Sequence, residues 1–146
     1  MALESINYVL QLIASTNSEV PCKEVRDMLG VDEGDLVVTE RTSTTQYFLF
    51  VNFPAVELEP IAENWLTEED LRHERMAVNV AHLHDRLAEW ISRRAYVLDR
   101  LRGQGLAMTL LGNLWISSDQ LDLVLTPGLA LACGQAGIKI YLLSND

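Results

Sequence analysis

The chain has 146 residues, 49% hydrophobic and 22% charged, which is the size of one domain and too apolar for intrinsic disorder. No apolar run approaches the roughly 20 residues that span a bilayer, and Cys22 and Cys133, outside any CxxC spacing, make neither a disulfide framework nor a structural zinc site. Twenty-one acidic residues against eleven Lys and Arg give a net charge of −10, which disfavours non-specific binding to nucleic acid or anionic lipid, since both need a cationic face.

In chain order, residues 5–14 are apolar and β-prone and predict a mostly buried strand. Pro21 fits the first position of a helix, Val25, Met28 and Leu29 give that helix an apolar face, and Gly30 supplies a left-handed stop, so a short helix is expected over 21–29. Residues 36–41 and 46–53 predict a β-hairpin with Thr42-Ser43-Thr44-Thr45 at its tip. In the second arm Tyr47, Leu49, Val51 and Phe53 share one face and Phe48 and Phe50 the other, and apolarity on both faces predicts a central strand. Pro54 ends it, and 54–66 reads as an irregular acidic connection.

Thr67-Glu68-Glu69-Asp70 resembles a capping box whose acids also suit the helix dipole. Met76, Val80, Leu83, Leu87, Trp90 and Ile91 then recur at spacings of three and four, continued by Ala95, Leu98 and Leu101. The stripe predicts one very long helix over 67–102, or two with a break near Ser92. Arg102 and Gly103 form the stop, and Gly103-Gln104-Gly105 reads as a turn. Residues 105–111 and 114–116 predict two strands around Gly112-Asn113, with 121–125 as a further β candidate. Thr126-Pro127 repeats the helix-start signal for a small apolar helix over 127–135, closed by Gly137 and followed by a final strand, Ile138 to Leu142. This order predicts a single α+β domain over 1–146, with a mainly antiparallel sheet and helices packed on one face.

Catalytic and metal readings find little support. His73 and His84 share a helix face but stand about 16 Å apart along it, too far to ligate one ion, and His82 and His84 point two ways. No Gly-x-Ser-x-Gly elbow is present, Gly103-Gln104-Gly105 lacks the third glycine of a dinucleotide fingerprint, and Cys133 lies in an apolar helix where an inert thiol is expected. No catalytic, cofactor-binding or metal-binding residue is therefore expected.

What remains is surface. Residues 1–71 hold fourteen acids and three bases, whereas 72–102 hold four acids and seven bases, so the negative charge is concentrated in the first half. Asp32, Glu33 and Asp35 form one acidic loop, and Glu57, Glu59, Glu63, Glu68, Glu69 and Asp70 form another around Trp65. An aromatic framed by carboxylates is a common interface composition, and these ten residues are the expected partner-binding set.

Trp65 before Asp70-Leu71, Leu83 and Leu87 in the long helix, Leu125, Pro127 and Leu129 at a helix start, and the closing Gly137, Ile138, Ile140 and Tyr141 form a recurring pattern with the short helix from Pro21 to Gly30. In these features the chain resembles the bacterial family known as domain of unknown function 4279, although it lacks a Pro-Thr step after its first Leu-Gly. That family is similar to immunity proteins of polymorphic toxin systems. The resemblance implies a non-catalytic cytoplasmic protein that neutralises a basic toxin or nuclease domain by masking its active surface. It implies neither a cofactor nor direct nucleic-acid or membrane binding. Three other readings stay open: an acidic nucleic-acid mimic that inhibits a nucleic-acid-handling complex, a small-molecule binder or enzyme with a pocket between sheet and helices, and a homo-oligomer built on the apolar 105–125 strands.

Overall fold

Alternation in the first strand sets the sheet: Ile6, Tyr8, Leu10, Leu12 and Ala14 are all buried, while Asn7, Val9, Gln11 and Ile13 between them are only half-buried. The computed structural model describes residues 3–15, 17, 20–31, 36–53, 68–116 and 124–144, with the backbone alone for 3–5, 68–77 and 116. Its elements are β1 (Leu3–Ser15), α1 (Cys22–Leu29), β2 (Val37–Thr42), β3 (Gln46–Phe53), α2 (Glu68–Arg93), α3 (Ala95–Gly103), β4 (Ala107–Ile116), α4 (Pro127–Ala136) and β5 (Lys139–Ser144). The sheet order is β2-β3-β1-β4-β5. β1 pairs antiparallel with β3 and β4, and β2 pairs antiparallel with β3. β4 and β5 are parallel, which requires a crossover, and α4 lies within it. The expected α+β domain with a mainly antiparallel sheet is therefore what the chain builds.

The four helices lie on the Tyr8 side of the sheet. From the long stripe, Val80, Leu83, Leu87 and Ile91 of α2 and Leu98 and Leu101 of α3 are buried. The side chain of Met76 lies outside the described residues. The helical region does break, two residues past the expected Ser92. Arg94, with φ −107° and ψ 11°, stands between α2 and α3. Its Nε donates to the Leu29 carbonyl at 2.7 Å, its Nη1 donates to the Trp90 carbonyl at 3.2 Å, and its guanidinium lies 4.0 Å over the Trp90 ring. The Leu29 carbonyl is one of the orphan acceptors at the end of α1, so the arginine both satisfies it and complements the helix dipole. Trp90 in turn meets Phe53 edge-on at 5.4 Å. Gly30 ends α1 with φ 65°, the left-handed conformation expected of it.

Two expectations are corrected. Gly112-Asn113 is not a turn between two strands: β4 runs unbroken from Ala107 to Ile116, and Gly112 stands opposite Tyr8 on one side and Leu142 on the other. A Cβ there would lie 2.8 Å from Tyr8 Cε1 and 2.7 Å from Leu142 Cδ2, so the glycine marks a close approach rather than a reversal. The central strand is β1 and not β3, which lies one from the edge. Of the other β candidate, 121–125, residues 121–123 lie outside the described residues, and Val124 and Leu125 belong to no strand.

Candidate functional site

The two faces of the sheet differ in kind. On the face away from the helices, the register sets Phe48 beside Ile13, and Asn52 beside Val9, Leu111 and Tyr141 in one row. Phe48, Phe50, Val9, Ile13 and Leu111 are half-buried and stand outside the core cluster, while Trp115 and Tyr141 are 51% and 57% exposed. The Phe48 and Phe50 rings run parallel within 5° at 6.2 Å. Between them lie uncharged polar side chains, Gln11, Thr109, Asn7 and Asn113. The charged residues on this face, among those described, are Arg41 and Lys139, both near the end where β2 finishes and β5 begins. The sequence signal for this surface is the two-sided apolarity of 46–53, which predicted burial on both sides. Among the described residues, helices cover one side only.

The partner-binding set expected from the sequence falls largely outside the described residues. Asp32, Glu33, Asp35, Glu57, Glu59, Glu63 and Trp65 lie outside the described residues, and Glu68, Glu69 and Asp70 are described only as the first turn of α2. Their flanks are placed. Val37, which opens β2, pairs with Asn52, the residue before the last of β3. The acidic segments 32–35 and 54–67 thus join the fold at the same end of the sheet.

A buried polar cluster links the sheet to two helices. His84 on α2 is fully buried, and its Nε2 lies 2.7 Å from the Tyr8 hydroxyl. The backbone N–H of Thr126, at the start of α4, donates to Nδ1 at 3.4 Å. That bond leaves Nδ1 unprotonated, so Nε2 carries the proton and donates to Tyr8. Burial pushes the His84 pKa below its ordinary value, partly opposed by Asp85, and the ring is neutral. Burial, reinforced by Cys133, raises the Tyr8 phenol. Burial also pushes the Cys133 thiol up to about 11. Tyr8, His84 and Cys133 are closed to solvent, while Thr126 at the edge of the cluster is half-buried. Its chemistry is that of a satisfied core histidine bridging β1, α2 and α4. His82, two residues away, is exposed, so the pair diverges as expected.

Cys22 and Cys133 are both free, and Cys22 is half-buried with its thiol raised by burial and by Glu40. Among the described residues no group of three or more His, Cys, Asp or Glu is placed to hold a metal ion, and no helix is long and apolar enough to cross a membrane. Comparison with family models, with curated proteins and with solved structures finds no match to the chain.

Proposed function

We propose that the chain is a non-catalytic binding protein that neutralises a cationic protein partner in the cytoplasm, acting as the immunity member of a bacterial toxin–immunity pair. The observation that carries this reading is that the flanks of two acidic segments are neighbours in the sheet. Residues 1–71 hold fourteen acids against three bases, and segments 32–35 and 54–67 join the sheet side by side, through Val37 and Phe53. A concentrated negative field accelerates association with a cationic domain and competes for the surface that such a domain offers to phosphate. The resemblance set out above points to the same class of partner.

The test uses the product of the neighbouring gene as partner. Its association rate with the full chain should fall steeply as salt rises, because exposed charges are screened beyond about 10 Å at 0.1 M. Dissociation should change much less. Reversing Glu57, Glu59 and Glu63 together should mimic high salt, whereas reversing Asp99, exposed on α3 and paired with Arg102, should leave the rate near that of the native chain. An acidic partner, or an association rate independent of salt, refutes the proposal.

A further inference from the structure

We propose that His84 is an acid-sensitive latch: as the pH falls, its protonation releases α4 from the helical layer while the rest of the fold stays closed. The two ring nitrogens hold different elements. Nε2 donates to the Tyr8 hydroxyl on β1 at 2.7 Å, and Nδ1 accepts the backbone N–H of Thr126, the residue before α4, at 3.4 Å. A second proton can only go to Nδ1. An N–H then faces an N–H, so the bond to α4 is lost while the bond to β1 stays. The new charge also lies at the N-terminal end of α4, where the helix dipole is itself positive. Protonation therefore acts on one of the two contacts, and it is the contact with the helix.

The surroundings leave a buried imidazolium without compensation. Among the described side chains, Asp85 on α2 is the charged group that favours it, and that carboxylate is exposed and makes no hydrogen bond to the ring. Tyr8 from β1, and Cys133 of α4 that interacts with it, are both neutral in acid. Neither α4 nor β4 carries a charged side chain. A charged ring must therefore reach water, and α4 is the element that yields. Its buried side chains are Leu129, Ala132, Cys133 and Ala136, so it gives up little apolar surface on leaving. Gly128 and Gly134 weaken it as a helix. No side chain caps its N-terminus, and Oγ1 of Thr126, the residue at the cap position, is buried without a partner among the described residues. An element held this lightly opens locally, below the free energy of whole-chain unfolding.

The experiment reads α4 through Cys133, which is 1% exposed in the closed fold. A Cys22→Ser chain is labelled with a dipyridyl disulfide, which reacts with thiols in acid as well as at neutral pH. Its rate, divided by that of the urea-unfolded chain at the same pH, gives the protection of Cys133. With an open-state His84 pKa of 6.5, protection should fall between pH 7 and pH 5 by up to about 25-fold. Low urea should barely change the rate at pH 5, because local opening exposes little surface. His84→Gln should give the same protection at both pH values. Thr126→Pro is the second variant, should His84→Gln fail to fold. It keeps the φ of −66° but removes the N–H, and should be labelled roughly 3- to 10-fold faster than its parent at pH 7. Protection equal at the two pH values overturns the proposal. So does a pH dependence that survives in folded His84→Gln, or Thr126→Pro labelled at the parent rate. Labelling at pH 5 that rises with urea as steeply as global unfolding overturns it too, since the whole chain would then be opening. No partner enters the test, so this inference and the proposed function fail separately.

Discussion

Replacing Gly112 by alanine tests the packing at the centre of the sheet. The new methyl group would meet Leu142 Cδ2 at 2.7 Å and Tyr8 Cε1 at 2.8 Å. Leu142 is 41% exposed and its Cδ2 ends a flexible side chain, so it can swing into solvent. Tyr8 cannot yield as easily. It is fully buried, its hydroxyl is held by His84 at 2.7 Å, and its ring packs edge-on against the imidazole at 5.4 Å. Relief must come from the β1–β4 backbone or from breaking that hydrogen bond. Overpacking of this kind costs about 1–3 kcal/mol, offset by about 0.4–1 kcal/mol because alanine narrows the unfolded ensemble. The net loss of about 1–2 kcal/mol corresponds to about 3–6 °C in Tm for a domain of this size. Urea unfolding followed by circular dichroism should show a lower midpoint at unchanged m-value. Adding Leu142→Ala to Gly112→Ala should restore only a minor part of the loss. A Gly112→Ala chain as stable as the native one, or full rescue by Leu142→Ala, refutes the assignment of Tyr8 as the rigid wall.

Two further predictions concern titration. The His84 pKa lies below its unfolded value of 6.5, so the unfolded chain takes up the proton first, and stability should be constant above that pH and fall below it, by at most about 1.4 kcal/mol per pH unit for this one group. His84→Gln should flatten that slope in pH-dependent urea melts; a slope unchanged by the substitution refutes the assignment. Cys133 titrates at about 11 in the fold against 9.0 when unfolded, so its contribution is complete below pH 9 and is lost as the pH rises through that window. A thiol reagent near neutral pH should leave Cys133 untouched in the folded chain. After unfolding without reductant it should find both Cys22 and Cys133, and finding neither would mean that the two sulfurs are bonded.

Patterns of period two and period 3.6 carried most of the fold into the sequence. Tyr47, Leu49, Val51 and Phe53 alternate because one face of β3 is covered, and Val80, Leu83, Leu87 and Ile91 recur because one stripe of α2 is. The errors arise where local chemistry has two meanings. Gly112-Asn113 has the composition of a hairpin turn, but the glycine answers to Tyr8 and Leu142, which are distant in sequence. The two faces of residues 46–53 look alike to any hydropathy pattern. Which of them the helices cover depends on the order β2-β3-β1-β4-β5, a long-range property. The same limit hid the apolar belt on the face away from the helices, since it draws on four strands that the sequence does not align. The buried role of His84 was equally out of reach, because its partners Tyr8 and Thr126 are 76 and 42 residues away.

The arginine between α2 and α3 has a consequence for binding kinetics. Arg94 ties the last carbonyl of α1 to the elbow, and its Trp90 leans on Phe53. Leu29 and Phe53 stand close to the points where segments 32–35 and 54–67 leave the described fold. One side chain therefore connects the helix that precedes the first acidic segment to the strand that precedes the second. The ordering of these two flanks is completed during folding, so a partner of the kind proposed would meet a spacing already set and would not have to impose it at encounter.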